Sequence, residues 1–246
     1  MKRKIKEILG SYIHFEGEEK QVYFGGLPKE EILSLLGYAP KTIIEFGSWD
    51  GGDGLKYKLD FPEADVVSVE ADPDIFSQLE YLEEFDITVL QFAITDIDGE
   101  IDFYQSAVRD INSGEINLRS QKKAPVGSQL ISTQTIKNHN NHLVYESSII
   151  RVPAIRIDTL AKEVLAINTI DYMHVDTQGT FLYVVRGMGE LRPKLIFAEV
   201  GMDKRYIGGD KIEETDQFMH ELGYRKIRSS DLDVIYKLEN DRCSKI

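Results

Sequence analysis

Cysteine is almost missing: Cys243 is the single one in 246 residues. An intrachain disulfide framework is thereby excluded, and a reducing, cytoplasmic setting is the expectation. Basic residues are outnumbered, with 29 Lys and Arg against 42 Asp and Glu and a formal net charge of −13. Nucleic acid and anionic membrane both demand a cationic face, so neither is the expected main partner. Apolar runs are short, and none reaches the length of a membrane span. The basic start "MKRKIKEILG" lacks the long apolar core of a secretory leader and reads as a short amphipathic helix. No internal repeat is visible. The size fits one generous domain, or a domain with an insertion, able to bury a core without staples.

What is present is a rhythm of strands and helices. Residues 1–40 read as a helical or irregular extension that includes "PKEEILSLLGYAP", where Pro28 opens a helix and Gly37 closes it. From 41 to 246 the pattern predicts one domain. Strands "KTIIEFG", "ADVVSVEAD" and "ITVLQFAI" alternate with helices "GGDGLKYKLDF" and "PDIFSQLEYLEEF". A polar insert rich in Ser, Asn, Gln and Lys interrupts at about 106–150, the kind of long connection that serves as a lid or stays disordered. The alternation then resumes: "RVPAIRID", with Asp158 placed to cap the helix "TLAKEVLA", then "TIDYMHVD", "TFLYVVRGMGEL", "PKLIFAEV" and "DKIEETDQFMHELGY". "RKIRSS" and "LDVIYKLE" read as a closing antiparallel pair. Such alternation predicts an α/β fold with a mostly parallel sheet.

The chemistry concentrates after the first strand. "TIIEFGSWDGGDG" climbs to an acid and breaks into a loop with four glycines. Gly47 and Gly51 allow a tight turn and a close ligand approach. Glu70, at the end of the second strand, is placed to accept hydrogen bonds from both hydroxyls of a ribose. A dinucleotide predicts the same acid together with G-x-G-x-x-G, but this spacing is E-x-G-x-x-x-G. The acids Glu45, Asp50 and Asp53 around the turn would repel a pyrophosphate and suit a cationic ligand. S-adenosylmethionine carries an ammonium and a sulfonium and no phosphate, so the reading turns from NAD toward it.

These segments together resemble the FkbM family of class I S-adenosylmethionine-dependent methyltransferases. "IIEFGSWDGG" is similar to its D-x-G-A-N-x-G, with Glu45 as the acid and Gly47 and Gly51 retained. "VVSVEADPDIFSQL" resembles V-x-x-F-E-P-x-P…L with Glu70 kept. "ITVLQFAITDIDGEIDFY", "IRIDTL", "IDYMHVDTQGTFLYVVRGM" and "PKLIFAEV" follow in the family's order, over roughly residues 41–238. The family's Asn is Trp49 here, its Lys before the strand-end Asp is His174, and its two following Glu are Gln178 and Phe181.

The resemblance implies a Rossmann-like fold: a mostly parallel seven-stranded sheet, helices on both faces, and an antiparallel C-terminal strand. It implies that Glu45 and Gly47 lie by the methionine part, Glu70 by the ribose, and Phe92, Ala93 and Asp96 by the adenine, with Ser48, Trp49, Gly51 and Ala71 as further cofactor contacts. The acceptor side follows from strand ends, which face the ligand cleft. Asp176 is a candidate to orient or deprotonate the acceptor. His174 shares its parity, and histidine's ordinary pKa, about 6.5, suits a general base. Gln178, Glu199 and Ser128 are candidate substrate contacts. Asp176, Glu199 and Asp203 form a series that could hold Mg2+, which the resemblance does not imply, so no metal ligand is assigned. "NHNNH", with His139 and His142, reads as a solvated loop.

The reading is therefore methyl transfer from S-adenosylmethionine to a hydroxyl of a small-molecule or carbohydrate acceptor, oxygen being favoured by the resemblance alone. Two alternatives stand beside it: a catalytically inactive cofactor-binding module acting as an interaction partner, and an NAD-dependent reductase.

Overall fold

A computed structural model describes residues 7–9, 12–15, 18–110, 116–117, 143–201, 206–230 and 232–239, with side chains described for 22–105 and from 149 onward within those ranges. The extension begins with three antiparallel strands, β1 (Glu7–Leu9), β2 (Tyr12–Phe15) and β3 (Glu18–Gln21). Residues 7–9 are thus strand and not the expected helix. Ile8, Tyr12, Ile13 and Phe15 are β-branched or aromatic, and Gly10 and Gly17 punctuate them in sequence, a composition that favours strands. Pro28 caps α1 (Lys29–Leu36), and Gly37 ends it in the left-handed region at φ 82°.

The remainder follows the predicted alternation. In chain order it runs β4 (Thr42–Phe46), α2 (Gly52–Asp60), β5 (Asp65–Glu70), α3 (Pro73–Phe76), β6 (Ile87–Gln91), β7 (Ala93–Ile94), β8 (Gly99–Asp110), β9 (Ile116–Asn117) and β10 (Leu143–Ile155). Then come α4 (Ile157–Thr159), β11 (Tyr172–Val175), α5 (Phe181–Arg186), β12 (Leu195–Glu199), α6 (Ile212–Glu221), β13 (Tyr224–Ser229) and β14 (Asp233–Leu238). The main sheet has seven strands in the order β6-β5-β4-β11-β12-β14-β13. Its strands are parallel except β14, which pairs antiparallel with both β12 and β13. This is the Rossmann-like α/β architecture expected. The chain leaves β4 in opposite directions across the sheet, so the switch point lies at the ends of β4 and β11.

Both faces of the sheet are covered, which is why its strands read as continuous apolar runs. Successive residues still part to opposite faces. Ile44, Phe46, Met173, Val175 and Ile196 pack with α5 through Phe181 and Val184. Ile43, Val66, Tyr172, Leu195 and Phe197 pack with α2 through Leu55 and Tyr57. Val22, Leu27 and Ile32 of the extension belong to this second cluster.

Three local expectations are corrected. The helix predicted over 73–85 breaks into α3 and a 3-10 turn at Glu80–Phe85. Ser77 Oγ and Gln78 Nε2 donate to the Asp74 carbonyl at 2.9 and 2.8 Å, competing with the helical ladder. Asp158 does not cap its helix: it lies inside α4, where its carboxylate accepts from Arg156 and from the Thr159 amide. The helix itself passes into a π turn at Leu160–Val164. Finally, both flanks of the 106–150 insert are strand. β8 and β10 pair antiparallel from Gly99↔Ala154 out to Asp110↔Leu143, and β10 also pairs parallel with β7. No helix among the described residues is long and apolar enough to cross a membrane.

Candidate active site

The glycine loop after β4 folds back over the end of β5. Gly47 and Ser48 amides both donate to the Val69 carbonyl, at 2.9 and 3.3 Å, and the Gly51 amide closes the turn on Ser48 at 2.7 Å. Gly47 has φ +84°, and a Cβ there would stand 1.9 Å from the Asp176 carbonyl oxygen, so β11 abuts the turn directly. Trp49 holds φ 43°, a region that costs a non-glycine residue on the order of 1–3 kcal/mol. Its amide donates to Glu70 Oε2 at 3.0 Å, while Glu70 Oε1 accepts from the Asp72 amide at 2.9 Å. The Glu70 carboxylate, 7% exposed, thus pins the turn to β5.

Phe92 follows β6, and its amide donates to the Glu70 carbonyl at 3.2 Å. Ala93 is buried in a small cluster with Phe103, Val152 and Ala154, against which Ala71 packs. These residues gather beside Glu70. Asp96 follows β7, where its carbonyl accepts from Arg156 and its carboxylate from Thr95. Gln105 of β8, unremarked in the sequence, donates to Asp72 Oδ1 at 2.9 Å and so brings the hairpin over the end of β5.

Asp50 and Asp53 were expected to face a cationic ligand, and in the structure both accept hydrogen bonds from backbone amides. Asp50 accepts from the Tyr23 amide at 2.8 Å and from the Gly52 amide at 2.9 Å. Asp53 accepts from the Gly25 and Gly26 amides at 2.8 to 3.0 Å. Together they fasten residues 22–27 as a strap across the start of α2. The Tyr23 ring meets Trp49 at 5.2 Å.

Beneath the strap, paired positions on neighbouring strands form one row. Ser68 pairs with Glu45, Glu45 with His174, and His174 with Phe197. Ser68 Oγ donates to Glu45 Oε2 at 2.8 Å. His174 Nδ1 is hydrogen-bonded to the Tyr57 hydroxyl at 3.1 Å, which in turn meets the Tyr172 hydroxyl at 3.0 Å. The imidazole stacks on Phe197 at 5.2 Å and is 7% exposed. Burial, reinforced by the charge of Asp53, pushes the Glu45 carboxyl well above its ordinary range, against the hydrogen bonds from Ser68 and Ser48. Tyr57, Ser68 and the partnership of Asp53 with Glu45 had no sequence signal, because they arise from register and from the approach of α2.

At the ends of β11 and β12 a second group forms. Gln178, at φ 55°, donates through Nε2 to Asp176 Oδ1 at 2.7 Å and to Glu199 Oε2 at 3.0 Å. Its Oε1 accepts from the Tyr206 hydroxyl at 2.8 Å. Asp176, Gln178 and Glu199 are therefore brought together, with an amide donor between the two carboxylates. Ser128, Asp203 and the 138–142 stretch lie outside the described residues. A cavity of about 350 Å3 opens on the strap side, lined by Gly26, Leu27, Phe197, Arg228, Ser230 and Asp233 among others. Arg228 pairs with Glu31 at 3.0 Å.

The family model described as Methyltransferase FkbM domain matches residues 46–226. No curated protein matches the sequence significantly. Among solved structures, precorrin-6y C5,15-methyltransferase from Geobacter metallireducens GS-15 is 10% identical with a TM-score of 0.43, over 86% of this chain and 87% of that one. A SAM-dependent methyltransferase from Aquifex aeolicus is 11% identical with a TM-score of 0.42, over 85% and 88%. A putative caffeoyl-CoA O-methyltransferase from Staphylococcus aureus is 7% identical with a TM-score of 0.44, over 85% and 80%. Likenesses at these scores carry no functional argument.

Proposed function

The chain belongs to the FkbM methyltransferase family, and from that premise we propose that it transfers a methyl group from S-adenosylmethionine to a hydroxyl oxygen of a small-molecule or carbohydrate acceptor. One observation carries the cofactor part. The Gly47–Gly51 turn and the Glu70 carboxylate meet at the ends of adjacent parallel strands beside the switch point, linked through the Trp49 amide. That is where open α/β sheets take a nucleoside. On this reading Glu70, at the end of β5, accepts from the ribose hydroxyls. Ala71, Phe92 and Ala93 line the adenine side, and Ser48 and Trp49 cover the methionine part.

S-adenosylmethionine supplies an already activated methyl on a cationic sulfur. The protein has then to align acceptor oxygen, methyl and sulfur, and to take up a proton. We assign the proton to Asp176, whose carboxylate is held by Gln178 at the strand end, with Glu199 beside it. His174 and Glu45 lie one layer lower, enclosed by Tyr57, Phe197 and Ser68. We assign them to supporting the turn and not to touching the reacting atoms.

Calorimetric titration with S-adenosylmethionine, with NAD as control, tests the cofactor. Binding of the first alone supports the proposal, and binding of NAD alone overturns it. A second reading, a cofactor-binding module without turnover, is favoured by Gln178, which stands where the family pattern has Glu. Binding without methyl transfer to any of a broad panel of hydroxylated acceptors would support that reading.

A further inference from the structure

We propose that Glu45, Asp53 and His174 form a binding site for one divalent transition-metal cation of the zinc or manganese type, enclosed between β4, α2 and β11. One ligating atom from each residue lies within 4.8 Å of the others. Tetrahedral metal–ligand bonds of about 2.1 Å set ligands about 3.4 Å apart, so side-chain shifts on the order of 1 Å close the group around an ion. The site belongs to the face beneath the strap and is distinct from the Asp176–Glu199 pair at the strand ends.

The surroundings are built as those of metal ligands are. Ligating imidazoles and carboxylates are usually held from behind by a second hydrogen-bond partner. All three residues have one: Tyr57 on His174 Nδ1, Ser68 on Glu45, and the Gly25 and Gly26 amides on Asp53. With Nδ1 engaged, Nε2 is the nitrogen that an ion would take. The charges also point to a cation. Two carboxylates face each other where Glu45 is 2% exposed, and no lysine or arginine pairs with either among the described residues. A divalent ion would balance both carboxylates. The nitrogen ligand selects zinc, manganese or their neighbours over magnesium and calcium, which favour oxygen alone. Occupied, the site would cross-link two strands and α2, and through Asp53 it would lock the strap.

The experiment titrates Co2+ into tag-free, chelator-treated protein, follows the visible absorption of the bound ion, and then displaces it with Zn2+. The expected result is one equivalent per chain. Asp53→Asn keeps an oxygen for the strap amides and is expected to weaken binding at least tenfold with an unchanged circular dichroism spectrum; His174→Gln is expected to do the same. A His139→Ala/His142→Ala double variant is expected to bind like the parent. Absence of Co2+ absorption in the folded parent overturns the proposal. So does binding that survives Asp53→Asn but disappears in the His139/His142 variant. If Asp53→Asn and His174→Gln both fail to fold, the parent and the double variant still decide.

Discussion

Glu45 and His174 stand directly opposite each other on the adjacent parallel strands β4 and β11, and both point toward α2. The pairing sets an acid and an imidazole side by side in an otherwise apolar layer. It also explains the glycine at position 54, where a Cβ would lie 2.8 Å from Glu45 Oε2 and 2.2 Å from Ser68 Oγ. The first turns of α2 must come this close for Tyr57 to reach His174.

Glu70→Gln should weaken S-adenosylmethionine binding by about 2 kcal/mol, roughly thirtyfold, because two charge-assisted hydrogen bonds become neutral ones. Calorimetry measures it, and Trp49, the single tryptophan, offers a fluorescence readout in the same loop. An unchanged affinity would remove Glu70 from the cofactor site.

Gly47→Ala should destabilise the fold by at least about 2 kcal/mol, combining a strained φ with a collision on the Asp176 carbonyl. The midpoint of a urea unfolding curve reports it. A midpoint equal to that of the parent would mean that the turn does not abut β11 as described.

Asp50→Ala should release the Tyr23 amide, which loses its carboxylate acceptor. Amide hydrogen exchange at Tyr23 is expected to accelerate at least about tenfold, equivalent to about 1.4 kcal/mol, with α6 unaffected. Equal protection in both proteins would show that Asp50 does not hold the strap.

Gln178→Ala should lower kcat at least about tenfold while leaving the S-adenosylmethionine Kd within about threefold. The amide donates to both Asp176 and Glu199. Parallel losses in kcat and Kd would place Gln178 in the cofactor site instead.

The Arg156–Asp158 pair carries a pH signature. Hydrogen bonding to the guanidinium holds the Asp158 carboxyl below its ordinary 3.8. Its stabilisation is therefore complete above that value and is lost as the pH falls through the lower, folded-state one. With the side chain 34% exposed, screening keeps the contribution below about 1 kcal/mol. Asp158→Asn should be less stable than the parent at pH 6, with the gap closing below about pH 4. A gap that persists unchanged at low pH would remove the ion pair as its cause.

The sheet was legible in the sequence because each strand is a short apolar run between turn residues, and the order of alternation imposes parallel pairing. The glycine turn and Glu70 were legible for the same reason, since both follow directly from a strand end. The Glu45–His174 pairing was not, because it depends on which strands become neighbours, and β4 and β11 are far apart in the chain. The duties of Asp50 and Asp53 were hidden too, since their partners are backbone amides, which any sequence supplies. At the amino end, basic residues suggested a helix, whereas alternating aromatic and β-branched residues carried residues 7–9 into a strand.

The hairpin of β8 and β10 has one more consequence. Asp110 and Leu143 are cross-strand partners, and β9, between them in the chain, pairs back onto β8, so Asn117 and Leu143 both belong to this one small sheet. A segment exchanged between β9 and β10 would begin and end on that sheet, while Gln105, further down the same hairpin, stays anchored to Asp72 beside Glu70. The molecule would thus have a graft point: on the proposed reading, recognition of the acceptor would diversify there while the Glu70 side keeps its geometry.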